Sequence, residues 1–138
     1  MKTKRFVIGT LSGGITMYVV GLLIWEVLFV DFFAANVGSA TGVARDTILA
    51  WAVVLGTFSL AALVTLAVGN CARASTILEG CKIGAIVGFL VWFGVDFILY
   101  GIENVSNLTA TIVDPLLEII RTGIGGTVIA AVLGKIKD

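Results

Sequence analysis

Four charged side chains inside otherwise apolar stretches are the residues best able to do chemistry in this chain. They are Glu26, Asp96, Glu118 and Arg121. A charge in the hydrocarbon of a membrane costs about 2.5–3.5 kcal/mol even on lenient scales, so such groups face one another or a water-filled cavity. The four residues are therefore predicted to form an intramembrane polar cluster, and the chemistry open to them is the binding of a proton or a cation.

The cluster is predicted to lie at one depth. With a helical rise of about 1.5 Å per residue, Glu26, Asp96 and Arg121 each lie roughly 8–10 Å from the outer end of their stretch. Glu118 precedes Arg121 at the i, i+3 spacing that permits contact on a helix. Because buried charges are usually paired, the simplest structural interpretation has Arg121 bridging Asp96 and Glu26, with Glu118 capping the outer end.

The cluster has more acids than bases, since three carboxyl groups face a single guanidinium. Either one carboxyl is protonated, because burial disfavours its charged form, or a cation or a solvated vestibule occupies the site. This surplus motivates the functional interpretation, a proton or cation site that opens outward. Trp25, Trp92 and Tyr100 lie in the same zone and are predicted to be interfacial anchors, with an aromatic wall of the site as the alternative.

The apolar stretches that position these residues cover residues 6–30, 47–69, 83–102 and 115–134. Each reaches the roughly 20 helical residues that cross a bilayer. With 59% apolar and 13% charged residues, a soluble domain of 138 residues could not bury so much apolar surface. Lipid cannot satisfy backbone groups, so the spans are helices. The sequence predicts an all-α integral membrane four-helix bundle, a single domain over 1–138, whose last helix starts at Asp114 and Pro115.

The distribution of cationic residues predicts the orientation. In a four-pass topology one side carries Lys2, Lys4, Arg5, Arg73, Lys82, Lys135 and Lys137, whereas only Arg45 and Arg121 lie towards the other. Lysine and arginine are enriched in cytoplasmic loops. Both termini are therefore predicted to be cytoplasmic, which places the polar cluster in the outer leaflet.

Small residues recur at four-residue spacing and predict close helix packing. The predicted packing positions are Gly13, Gly21, Gly80, Gly84, Gly88, Gly126, Ala130 and Gly134. These faces either close the bundle internally or face outward and join copies of the chain. A shift of 67 residues also places Gly13 on Gly80 and Trp25 on Trp92. The two helical hairpins are thus candidate copies, related as a parallel repeat.

The absence of histidine argues against several classes of enzyme and metal site, because no histidine ligand or His-dependent triad can form. No glycine-rich loop has phosphate-binding spacing. We therefore expect no enzyme activity, no cofactor and no nucleic-acid partner. The first hypothesis is a non-enzymatic scaffold or accessory subunit that associates through its glycine faces, as a homo-oligomer or in a larger membrane complex. The second is a small transporter or channel for protons, cations or a small cationic solute.

Three segments carry a family resemblance: NVGSATGV at 36–43, GCKIGAIVG at 80–88, and LTATIVDP at 108–115 followed by Gly125 and Gly126. In these segments the chain resembles small four-helix bacterial inner-membrane proteins of unknown function. The resemblance covers most of the chain and implies a bacterial inner-membrane location. It implies no activity and no site residues.

Overall fold

A computed structural model describes residues 1–71 and 76–136 of the chain. The helices, in chain order, are α1 (Thr3–Gly21), which continues into a π-helical segment (Leu22–Leu28), α2 (Val30–Ala35), α3 (Ala50–Asn70), α4 (Ile77–Ile102) and α5 (Leu108–Lys135). Four spans are long and apolar enough to cross a membrane: Thr3–Leu28, α3, α4 and α5. The prediction of an all-α bundle with four membrane-spanning helices is confirmed.

The predicted start of the last helix is wrong. The helix α5 begins at Leu108, about two turns before Pro115, which lies inside it. The N-cap is Asn107, whose side chain accepts a hydrogen bond from the Ala110 backbone N–H at 3.0 Å. Asparagine is as good an N-cap as aspartate, so residue type alone did not distinguish Asn107 from Asp114.

The ends of the other helices also differ from their predicted bounds. The helix α4 begins at Ile77 instead of residue 83, with Thr76 as its N-cap. The first span ends at Leu28, where the Phe29 N–H bonds to the Ile24 carbonyl at 2.8 Å, one residue further back than in an α-helix. The short helix α2 follows, in a segment predicted to be a loop.

The helix α5 lies at the centre of the bundle. Half of the residues in its most apolar 18-residue stretch are buried, compared with 11% of those in the corresponding stretch of α4. The helix α1 packs against α3 and α5, whereas α4 packs chiefly against α5. A cluster of buried apolar side chains fills the half of the bundle near the termini: Met17, Leu60, Ala61, Val64, Val68, Ile129, Ala130 and Leu133. The other half of the bundle contains the buried charged residues Glu118 and Arg121.

The contact between α4 and α5 is made at backbone distance. A Cβ on Gly84 would overlap the Thr122 carbonyl oxygen and lie 3.1 Å from Gly126 Cα. A Cβ on Gly80 would overlap the Gly126 carbonyl oxygen, and one on Gly88 would overlap the Thr122 side chain. The glycine stripe of α4 therefore packs inside the bundle, which is the first of the two alternatives left open by the sequence.

The remaining small residues have different surroundings. Gly13 of α1 packs against Ile129, and Gly21 lies beside Arg121. Ala130 is buried in the core. Gly134 is exposed, and a Cβ there would meet nothing within 4 Å. The duplication of the two hairpins stays a prediction.

Each end of the bundle is identified by contacts between its connections. At the distal end, defined by the connections 36–49 and 103–107, Val37 and Ser106 form an antiparallel bridge. The Asn107 side chain also donates to Asn36 Oδ1 at 3.0 Å. At the terminal end, Gly69 of α3 lies against the Met1 side chain. The N-terminus and the end of α3 therefore share one side.

Candidate functional site

Arg121 joins three helices in the interior of the distal half. Its side chain lies on the buried face of α5 and is 9% exposed. Its Nε donates to the Met17 carbonyl of α1 at 3.1 Å, and its Nη2 donates to Thr57 Oγ1 of α3 at 3.1 Å. A Cβ on Gly21 would lie 3.4 Å from Arg121 Nε, so the glycine leaves room for the guanidinium beside α1.

The charged partner of Arg121 is Glu118. Arg121 Nη1 lies 2.6 Å from Glu118 Oε1, at the i, i+3 spacing seen in the sequence. Glu118 is 1% exposed, and its second oxygen, Oε2, is buried without a hydrogen-bond partner. Buried acceptors without a partner are rare in proteins because each forfeits the hydrogen bonds that it made in water. The deepest acid of the site thus keeps one oxygen free to accept a hydrogen bond.

The predicted bridge from Arg121 to Asp96 and Glu26 is wrong. The described part of the chain contains no ion pair between Arg121 and either of them. Glu26 is exposed at the edge of the site, and Asp96 lies on α4 beside Asp114. Glu118 takes the pairing instead because its position on the same helix lets it reach the guanidinium without help from another helix.

Asp114 is a member of the site that the sequence analysis missed. Its Oδ1 accepts a hydrogen bond from the Trp25 indole N–H at 2.7 Å. Its carboxyl also lies within hydrogen-bonding distance of the Asp96 carboxyl. The signal was present in the i, i+4, i+7 spacing of Asp114, Glu118 and Arg121, which puts all three on one helix face. It was overlooked because Asp114 was assigned to the helix end.

The three aromatic residues do not share one environment. Trp25 is half-buried, donates to Asp114 and lies 5.4 Å from the Arg121 guanidinium carbon. Trp92 of α4 is also half-buried, and its indole N–H has no partner. Tyr100 is 41% exposed near the distal end of α4. The positions of Trp25 and Trp92 favour the aromatic-wall alternative, whereas that of Tyr100 is typical of an interfacial anchor.

These side chains surround a cavity of about 500 Å³ in the distal half of the bundle. Such a volume is typical of small-molecule sites. Its walls come from α1 and the π-helical segment, α3, α4 and α5: Met17, Tyr18, Gly21, Leu22, Trp25, Glu26, Val53, Gly56, Thr57, Trp92, Asp114, Glu118 and Arg121.

The opening of this cavity lies between the π-helical segment and α3. The wall residues that are exposed are Leu22 and Glu26 on one side and Val53 and Gly56 on the other. A Cβ on Gly56 would meet nothing within 4 Å, so this part of the wall is open. Glu26 therefore lies at the entrance, while Glu118 and Arg121 form the floor.

A smaller cavity of about 170 Å³ lies nearer the distal end. It is lined by Asp96, Leu99, Glu103, Val105 and Ser106. Asp96 Oδ2 is buried without a hydrogen-bond partner. Since Asp114 lines the larger cavity and touches Asp96, the two carboxyls lie between the two cavities.

The larger cavity has the electrostatic character of a cation site. Glu26, Asp114 and Glu118 outnumber Arg121 in its wall, so the wall is anionic when these acids are ionised. Trp25 and Trp92 also line the cavity, and aromatic rings attract cations through their quadrupole, as the Trp25 ring does with Arg121 at 5.4 Å. No group of three or more His, Cys, Asp or Glu is placed to hold a metal ion within residues 1–71 and 76–136.

The chain matches no family model, no curated protein and no solved structure. Its resemblance to small bacterial inner-membrane proteins remains a prediction. A proposal for the function therefore depends on the geometry of the cavity.

Proposed function

We propose that this protein is a small membrane transporter that binds a cationic organic solute in the cavity between α1, α3 and α5. The single observation that supports this most is the buried Glu118, which lines a 500 Å³ cavity and whose Oε2 has no hydrogen-bond partner. An ammonium group is the natural partner for such an oxygen. Opposite unit charges about 4 Å apart attract by roughly 4 kcal/mol at an effective dielectric constant of about 20.

The excess of acidic residues in the cavity wall supports a positively charged solute. Arg121 neutralises Glu118, and Trp25 donates one hydrogen bond to Asp114, but Glu26 and the rest of the acidic charge have no cation in the cavity. A monovalent cation reduces this surplus, whereas an anion meets only a guanidinium that is already paired. The solute we propose is therefore a small amine or quaternary ammonium ion.

The π-helical segment is the part of the wall best suited to move. Trp25 and Glu26 lie within Leu22–Leu28, and π-helical turns occur frequently at functional sites. A return of this segment to α-helical pairing rotates its side chains relative to α5. Such a change breaks the Trp25–Asp114 hydrogen bond and alters the shape of the entrance. A site with a single opening needs a change of this kind to take up its solute and release it.

The side of the membrane on which the cavity lies is inferred from the positive-inside rule. Lys2, Lys4, Lys82 and Lys135 lie at the terminal end of the bundle, while Arg73 and Lys137 lie outside the described residues. We propose that this end is cytoplasmic, that the membrane is a bacterial inner membrane, and that the cavity lies in the outer leaflet. The role is non-enzymatic, with lipid as the surrounding partner, no cofactor and no nucleic acid.

The test uses tetraethylammonium as a probe, with binding measured by calorimetry in detergent and uptake measured in proteoliposomes. Gly56→Phe narrows the entrance without a packing clash, because a Cβ there is unobstructed. Gly94→Phe is the matched control, since Gly94 is equally unobstructed but lies outside the cavity wall. We expect binding and uptake to be lost in Gly56→Phe and retained in Gly94→Phe. Equal binding in both variants, or none in the unmodified protein, contradicts the proposal.

A scaffold or accessory subunit is the second candidate, and the exposed surface of α4 favours it. Outside its glycine stripe this helix is largely unburied, and Phe89, Phe93 and Phe97 stack along it with centroid distances of 5.2 and 4.5 Å. The packing glycines of α4 are used internally, so association through α4 would need this aromatic row. Native mass spectrometry from lipid nanodiscs decides the matter. A dimer or larger complex that Phe93→Ala dissociates supports this candidate, whereas a monomer argues against it.

A further inference from the structure

The two carboxyl groups between the cavities have an environment that the proposed solute site does not explain. Asp114 lines the larger cavity and accepts from Trp25 at 2.7 Å. Asp96, on the neighbouring helix, lines the smaller cavity at the distal end and keeps its Oδ2 without a partner. The two carboxyls, on the adjacent helices α4 and α5, are close enough to interact with each other. Each belongs to the wall of a different cavity.

Two adjacent carboxylates repel each other, and one shared proton converts that repulsion into a hydrogen bond. Trp25 already donates to Asp114, so Asp114 acts as the acceptor and Asp96 as the group that carries the proton. The nearby acids add to the repulsion rather than relieve it. They are Glu118 on the same face of α5 and Glu26 at the entrance, in the π-helical segment.

The remaining charged groups around the pair complete this environment. Arg121 is the single cation in the wall of the larger cavity, and it is occupied by Glu118 at 2.6 Å. The helix α3 contributes only the neutral Thr57 to the polar wall. On the distal side, Glu103 lines the smaller cavity with Asp96 and lies next to the connection at the end of the bundle. The proton thus has an acceptor between its site and the distal surface.

We propose that Asp96 and Asp114 share one proton and exchange it for the cation that enters the larger cavity. When the cation arrives beside Glu118 and Asp114, the O–H bond of Asp96 breaks. The proton passes to Glu103 and then to water at the distal end. One positive charge enters and one leaves, so the charge of the site is unchanged. The exchange rests on the proposed function, whereas the shared proton does not.

A second observation, independent of the acidic pair, points to the same exchange. Glu118 is 1% exposed, lines the larger cavity and has one buried oxygen without a hydrogen-bond partner. A cation bound at that oxygen lies on the α5 face that also carries Asp114. Its charge favours ionisation of both neighbouring carboxyls and thereby expels the proton.

The shared proton is tested by infrared spectroscopy of the purified protein in detergent, without added solute. A protonated carboxyl has a C=O band distinct from that of a carboxylate. We expect this band at neutral pH in the unmodified protein, its loss in Asp96→Asn, and its retention in Asp31→Asn, where an exposed acid of α2 is changed. Asp114→Asn provides a second variant if Asp96→Asn does not fold. A band that is absent, or that survives both changes at the pair, overturns the proton site.

The exchange is tested by calorimetry with tetraethylammonium in buffers of different ionisation enthalpy. We expect a proton to be released for each cation bound, and the apparent Kd to rise about tenfold for each unit of falling pH while the pair is protonated. In Asp96→Asn both effects should vanish. Tight binding without proton release overturns the exchange but leaves the shared proton standing. Absence of binding overturns the proposed function and the exchange, and the infrared result still decides the proton site.

Discussion

A matched pair of glycine-to-alanine changes on α4 tests how closely α4 and α5 approach. At Gly84 the added methyl group overlaps the Thr122 carbonyl oxygen and approaches Gly126 Cα at 3.1 Å. Both are backbone atoms, so neither can rotate away and the helices must separate. At Gly94, on the same helix, the same methyl group meets nothing within 4 Å.

The expected difference in stability follows from this geometry. Alanine is favoured over glycine in a helix by about 0.8–1 kcal/mol, and this gain is the same at both positions. Overpacking of a closely packed contact costs about 1–3 kcal/mol, and it applies only at Gly84. Gly84→Ala should therefore be less stable than Gly94→Ala by about 1–3 kcal/mol. The loss should increase with side-chain size in Gly84→Leu.

The free energy of unfolding can be measured by titration of the detergent-solubilised protein with sodium dodecyl sulfate, with helix content followed by circular dichroism. Gly94→Ala is the control for any general effect of removing a glycine. If Gly84→Ala is as stable as Gly94→Ala, then α4 and α5 are not in backbone contact. The placement of the α4 stripe inside the bundle would then be refuted.

Three further changes test the polar site and the start of α5. Arg121→Ala leaves the carboxylate of Glu118 buried without a partner, so we expect a loss of about 3–5 kcal/mol in the same titration. Trp25→Phe removes the 2.7 Å hydrogen bond to Asp114 while retaining an aromatic ring, and should cost about 1–3 kcal/mol. Asn107→Ala removes the N-cap of α5 and should cost about 0.5–2 kcal/mol.

Each of these changes has a control and a contradicting outcome. The double variant Arg121→Met, Glu118→Leu removes both charges. It should restore most of the stability that is lost in Arg121→Ala. A double variant that is no better than Arg121→Ala argues against the buried pair. Unchanged stability in Trp25→Phe argues against the bond to Asp114. For Asn107→Ala, the comparison is Thr76→Ala at the exposed N-cap of α4, which should cost less because Asn107 also bonds to the other distal connection.

The sequence analysis recognised the contact that the spacing within one helix permits. It noted the i, i+3 spacing of Glu118 and Arg121, which form the ion pair, but it assigned the pairing of Arg121 to Asp96 and Glu26. The four spans follow from length and composition, because lipid leaves helices as the only way to satisfy the backbone of an apolar segment. The glycine stripe of α4 was likewise visible as a packing face.

The contacts between helices could not be predicted in this way. Whether Arg121 contacts Asp96, Glu26 or Met17 depends on how each helix is rotated about its own axis. Because these helices are apolar on nearly every face, their hydrophobic pattern does not define that rotation. Asp114 belongs to the site because the N-cap of α5 is Asn107, which places Asp114 inside the helix. The sequence could not predict this, since Asn107 and Asp114 are equally good N-cap residues.

Local chemistry by itself determined that this chain forms four helices long and apolar enough to cross a membrane, with charged residues inside three of them. The reason is that the bilayer constrains segment length and the cost of each charge. Tertiary packing decided what those charges do. It made α5 the central helix and paired Arg121 with Glu118 and the Met17 carbonyl. It also placed Glu118 in a cavity wall with its Oε2 lacking a hydrogen-bond partner. These outcomes depend on how side chains from distant parts of the chain fit together, and this fit is a property of the assembled bundle.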